Sequence, residues 1–470
     1  MGKVYNVCKL LTGQVFAVKR KSQDSLNGPL LPNIVSYTVP IILTSVLQLL
    51  FNAADLVIVG RFRGSASVGA VGATTSLTML IINLFMGISI GAGVCVAHAI
   101  GGKQEKTLHR IIHTAIPTAI ISGVILTVVG VLFCKDFLMW MDTPIELLPL
   151  SSLYMKVYFA GMTFTMLYNF CAAILRAAGD TKSPLLFLSI SGVLNVGLNI
   201  LFVTAFNMNV EGVALATVIS QAVSAALVLI ALMRRKDGCH LSLRKLRIYP
   251  PQLLRILRIG LPAGIQSSLF AISNVIIQSS INSFGDVVVA GNAAGANLDG
   301  FLYVSINAFS QTAMTFTGQH VGAGKYPRIK KILWRCCLSA ATVGLIGGVL
   351  LYVFREPLLS IYITDSAEAI TYGAIRFIYI ALPYCICGLM DVATGSLRGM
   401  GAALAPMIIS VLGVCGFRIG WVMTVFQLPQ FHTLESLFIS YPISWAVTFL
   451  CQLVAFAIFY RRLQQQRHTL

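Results

Sequence analysis

PIILTSVLQLLFNAADLVIVG, residues 40–60, is apolar for long enough to cross a bilayer, yet it carries a carboxylate at Asp55. A charge at membrane depth costs at least about 2.5–3.5 kcal/mol, so such a residue is a functional candidate by default. Asn52 and Gln48 precede it at positions that fall on the same helical face. This face therefore meets protein or water, not lipid.

The rest of the chain fits that reading. Of 470 residues, 57% are hydrophobic and 11% are charged, with mean hydropathy +0.82, where soluble domains carry roughly 25% charged residues. The first 33 residues hold five basic side chains and no signal-peptide pattern, so a retained cytoplasmic tail is expected. The eleven cysteines fall mostly in apolar runs without CxxC spacing, which suits core packing and not a metal site or disulfide frame.

Twelve bilayer-length windows are predicted, at about 34–60, 66–97, 111–134, 152–175, 184–206, 211–233, 257–283, 287–318, 333–354, 369–395, 404–427 and 435–460. With the N-terminus inside, 27 of the 34 Lys and Arg residues fall on inner segments. Both termini are then cytoplasmic. The net charge of +18 becomes a topology signal with attraction to anionic membrane lipid, and no nucleic-acid partner is expected.

Pro40, Asn52, His98, Lys103, Arg176, Gly179 and Pro184 recur as Pro262, Asn274, His320, Lys325, Arg398, Gly401 and Pro406, each 222 residues later. Identities at one fixed offset indicate duplication. Six spans per copy make the repeat parallel, about an axis along the membrane normal. The fold class predicted is all-α integral membrane, with twelve transmembrane helices in two pseudo-symmetric six-helix bundles. A tail (1–33) precedes one lobe (34–233), a basic linker (234–256), the second lobe (257–460) and a short tail (461–470).

Counting depth at about 1.5 Å per residue, Asp55, Asn195, Asn199, Thr217 and Gln221 converge in the outer half of the first lobe. They make an ion-coupling candidate for a proton or small cation, and Asn169 of span four is a further polar candidate. The second lobe offers Gln266, Asn274, Gln278, Asn307, Gln311, Asp391 and Arg418, but Ile277 stands where the repeat would place a second Asp55. An Asp391–Arg418 pair is left open, because Arg418 counts about seven residues further from the inner face. Asp299 is expected at the interface. Pro40 is the hinge candidate, since it shares a helix with Asp55. His98 and His320 are read as structural. There is no HExxH, GxSxG or Walker-A pattern, so an enzyme or ATP-driven pump is unsupported.

Several motifs together resemble the multidrug and toxic compound extrusion (MATE) family of bacterial secondary transporters. They are P-(x)14-D-(x)4-G in span one, AIGGKQEKTLHR and HVGAGKYPRIKK, ILRAAGDTKSP and SLRGMGAALAP, the seventh-span GLPAGIQSSLFAISNVIIQSSINSFG, and NVEGVALATVISQ. The resemblance covers about residues 36–460 and implies two six-helix lobes around a V-shaped cleft. It also implies export of cationic organic compounds against H⁺ or Na⁺. Asp55 falls on the family's first-span carboxylate, Asn195 and Asn199 on its fifth-span pair, Thr217 on its sixth-span Thr, and Asp391 on the tenth-span Asp of the NorM-type branch. Two positions depart: Phe270 stands where that branch has Glu, and position 199 is Asn where DinF-type members have Asp.

The expected function is a multidrug antiporter in the bacterial inner membrane, monomeric, without cofactor or bound metal beyond a possible Na⁺ at Asp55. The alternative is a flippase for lipid-linked saccharides, which would line its cleft with more cationic residues than Arg418, the one Arg placed clearly within a span.

Overall fold

The computed structural model describes residues 26–141, 143–363 and 366–468. The tail lysines and Arg20 lie outside these residues. Described residues form helices and turns, with no strand among them.

Among the described residues, nine helices are long and apolar enough to span a membrane: Leu30–Arg63, Ser65–Gly101, Glu105–Trp140, Lys182–Ala205, Val210–Met233, Pro250–Asn282, Tyr326–Val353, Leu404–Gln427 and Leu434–Gln465. Spans four and ten are bent pairs, Leu148–Ala160 with Met162–Ala177 at 48° and Ala367–Ala381 with Tyr384–Gly399 at 44°. The breaks fall at Gly161 and Pro383, again 222 residues apart. Span eight, Asp286–Gly322, completes the twelve. It is as long as span two, but Asn292, Asp299, Asn307, Gln311 and Gln319 make it more polar.

Several boundaries differ from the sequence reading. Span one already begins at Leu30, and span seven begins at Pro250, inside the stretch read as linker. Tyr249 is extended and the following Pro250-Pro251 opens the helix, where missing N–H groups cost nothing. The turns after spans four and ten carry Gly179 (φ 84°) and Gly401 (φ 85°), a left-handed backbone that glycine adopts freely.

The lobes meet through the halves of their helices nearest the chain ends. Lys330 lies over the Tyr460 ring and Arg328 Nη2 donates to Gly28 O at 2.6 Å, so both described ends share that side. Across the seam, Tyr37 Oη donates to Thr315 Oγ1 at 3.2 Å and Thr38 pairs with Thr312 at 2.7 Å. His98 Nε2 meets Gly399 O at 2.7 Å while Arg255 donates to its Nδ1 at 3.0 Å. Both ring nitrogens of His98 are thus engaged in holding the seam.

Spans two and seven touch backbone to backbone. A Cβ on Gly91 would lie 2.2 Å from Ile256 O, and one on Gly264 would lie 2.2 Å from Leu84 O. Gly91→Ala is therefore expected to disfavour this sealed form by about 1–3 kcal/mol, the usual cost of overpacking. The check is a reporter T315C in an otherwise cysteine-free chain. Its labelling by an impermeant maleimide from the tail side should rise with Gly91→Ala, and an unchanged rate would show that the seam accommodates the methyl.

Candidate functional site

Each lobe holds its own cavity beyond the seam. Asp55 sits 17 residues past Thr38 on the same helix, about 25 Å along it. In the first lobe a cavity of about 350 Å³ is lined by Gln48, Asn52, Asp55, Asn169, Asn195, Thr217 and Gln221. Seven sequence-predicted residues are therefore brought together, with Asn199 directly behind them. Asn199 Nδ2 donates to Asp55 Oδ1 at 2.5 Å and to Asn195 Oδ1 at 3.2 Å. Asn195 Nδ2 donates to Thr217 Oγ1 at 3.3 Å.

Thr217 has one hydroxyl hydrogen and two acceptors, Asp55 Oδ2 at 3.3 Å and Val213 O at 3.0 Å. The single hydrogen is therefore contested between a side-chain carboxylate and a backbone carbonyl. Asn199 Oδ1 is buried without a partner. Carboxylate, amide and hydroxyl oxygens thus converge as hard-ligand groups, which suit a proton on Asp55 or a small cation beside it. Span five changes from α- to π-helix at Leu201–Ala205, one residue after Ile200 closes the α segment that carries both asparagines. Such bulges re-aim side chains and recur at functional sites. Asn169 also lines the space between the lobes, where its Nδ2 donates to Thr165 O at 2.8 Å. Pro40 is buried in an unbroken span one, and Thr44 Oγ1 donates to its carbonyl at 2.6 Å.

The second-lobe cavity, about 320 Å³, is lined by Asn274, Gln278, Asp391 and Arg418 among predicted residues, with Phe270 beside them. Asp391 and Arg418 do not pair. Asp391 Oδ2 accepts from Asn307 Nδ2 at 3.2 Å, and Arg418 Nε donates to Ser444 Oγ at 3.0 Å. A π-helical segment, Val411–Gly416, precedes Arg418 and turns it toward span twelve. Gln311 lies elsewhere, in a cavity of about 310 Å³ between the lobes. There it joins a chain of bonds running from Arg176 Nη1 to Gln311 Oε1 (3.4 Å) and from Gln311 Nε2 to Asn307 Oδ1 (3.4 Å).

Two expectations are overturned. Asp299 is not interfacial: it is 3% exposed and accepts from Arg376 Nε at 2.7 Å, while Arg376 Nη1 donates to Asn292 Oδ1 at 2.9 Å. Nor is Arg418 alone, since Arg376 lines the same cavity and Arg176 with Arg398 line the one between lobes. Asn292 and Asp299 are two turns apart on one face of span eight, a spacing visible in the sequence.

The MatE family model matches residues 40–201 and again 262–422, so its two copies begin at the repeated Pro40 and Pro262. The chain belongs to the MatE family. It is a multi-pass membrane transport protein. Among its relatives are "Probable multidrug resistance protein YoeA" of Bacillus subtilis, 28% identical over 424 residues (88% of this chain, 90% of that one), and the "FAD transporter" of Shewanella oneidensis, 23% identical over 401 residues (83% and 86%). A solved MATE transporter described as outward-facing superposes with TM-score 0.87 at 20% identity, covering 95% of this MatE chain and 99% of its own.

Proposed function

We propose that this MatE chain is an ion-coupled exporter of amphipathic organic compounds, with Asp55 as the coupling group. The observation that carries this reading is the Asp55 carboxylate, which has no ion pair among the described residues and is held by Asn199 and Thr217 at a cavity about 25 Å along span one from the seam contact at Thr38. The inward-moving ion, H⁺ or Na⁺, loads at Asp55 from the far side. Loading releases the Thr217 hydroxyl and loosens the grip between spans one, five and six. Pro40 lies 15 residues before Asp55 and lacks the N–H that would complete the helix ladder, so span one bends there as Asp55 is neutralised. Ion and substrate favour different conformers, the condition for coupling.

Relatives named for multidrug resistance and for FAD transport support small organic substrates. The argument against the flippase alternative is the scarcity of cationic residues expected in the cleft. More are present than expected, but neither of those relatives is named for lipid or saccharide transport, and that reading is set aside. The basic inner segments support a bacterial cytoplasmic membrane with both termini inside, and the chain acts as a monomer in its lipid.

The test is ethidium efflux from proteoliposomes with Na⁺ and pH gradients imposed separately. One gradient is expected to drive efflux and thereby assign the ion. Efflux indifferent to both would overturn the reading.

A further inference from the structure

Among the described residues, three guanidiniums and two carboxylates lie inside the second lobe. Arg376 is committed to Asp299 and Asn292. Arg398 donates to Gln266 Oε1 at 2.8 Å, and its charge acts on Asp391. Arg418 is left without a carboxylate, although it is only 4% exposed. Its Nε reaches Ser444, but Nη2 is buried with no partner. The Tyr441 ring centre lies 3.8 Å from the guanidinium carbon, and that of Trp445 lies 5.6 Å away.

Aromatic neighbours stabilise the cation without taking its in-plane hydrogens. What a guanidinium edge accepts best is a planar oxyanion, carboxylate or phosphate, through charge-assisted bonds. The cavity beside it presents Phe270, Tyr303, Tyr384 and Trp445, surfaces on which a planar ring stacks. We propose that the second-lobe cavity takes the carboxylate or phosphate of a planar organic acid or zwitterion, gripped by Arg418. The two lobes then divide the charges, with the coupling cation at Asp55 and the anionic group of the solute at Arg418. The division of labour rests on the export reading; the binding step does not.

The test is calorimetric binding to the full chain in detergent micelles, comparing zwitterionic norfloxacin with its decarboxylated analogue. Wild type is expected to prefer norfloxacin by about tenfold, the worth of one charged hydrogen bond. Arg418→Gln should erase that preference, while Arg418→Lys should retain part of it. Equal wild-type affinities would overturn the proposal whether or not any variant folds. So would an Arg418→Gln chain that weakens norfloxacin, analogue and ethidium alike. If phosphatidylglycerol raises the melting temperature through Arg418 while norfloxacin does not bind, the anion is a lipid headgroup and the proposal falls. Should carboxylate preference hold while ethidium efflux ignores both gradients, the export reading alone has failed.

Discussion

Asp55→Asn is expected to abolish gradient-driven ethidium efflux, a drop of about 100-fold toward the leak rate, while the purified protein keeps its fold and binds substrate. The amide is nearly isosteric, so the cavity keeps its shape, but it can neither take up a proton nor carry the charge that holds a cation. Coupling between ion and substrate sites is typically worth 1–3 kcal/mol, or about 5–150-fold, and in the proposed mechanism it passes through this group, whose repeat-matched position in the second lobe is Ile277. Efflux that persists at the wild-type rate under the driving gradient would remove Asp55 from the mechanism. Thr217→Val should act more mildly, by about fivefold, because it removes one hydrogen bond of ordinary net worth. The pair of variants, assayed in the same vesicles, separates the charge from the hydroxyl that senses it.

The second large effect is on stability. Asp299→Ala leaves Arg376 buried beside Asn292 with no counter-charge, and breaking a buried pair in this way costs about 3–5 kcal/mol. The melting temperature of the protein in micelles should fall sharply. Joining the change to Arg376→Met should recover much of the loss, since replacing a buried pair by apolar groups is often neutral. If the double variant melts no higher than Asp299→Ala, the pair contributes through packing and not through charge. The ion pair joins spans eight and ten just above the bend at Pro383. Span ten also runs as π-helix over Phe377–Ala381, immediately after Arg376, so the pair pins the point where the helix loses its regular ladder.

Much of the first-lobe site was legible because helical periodicity is strict. Gln48, Asn52 and Asp55 share one face at any tilt, and Asn195 and Asn199 are one turn apart. Depth counting from the basic ends then brought spans one, five and six to the same level. The same arithmetic misjudged the second lobe. Depth along a straight helix does not survive a 44° bend or the two π-helical segments of that lobe, each of which rotates the residues beyond it. Asp299 looked interfacial by count, yet its partner on a bent span reaches it. The Asp391–Arg418 pair, which the depth count leaves open, does not form, since their helices turn Arg418 toward Ser444 and Asp391 toward Asn307.

The class, the repeat and the unduplicated first-span acid are all written in the linear order of residues. Apolar run lengths set twelve crossings, the basic residues suggest which loops stay inside, and identities at one offset show two copies of one six-span unit. The bilayer enforces these properties on each span separately, so they survive without knowledge of any neighbour. Packing in three dimensions settles the remainder: which charges are paired, which side of the cleft is sealed, and that Arg418 keeps an edge free. Those depend on helix rotation and on backbone contact at glycines such as Gly91 and Gly264. A difference of one methyl or a few tens of degrees changes the partner there, and no pattern along a single helix records it.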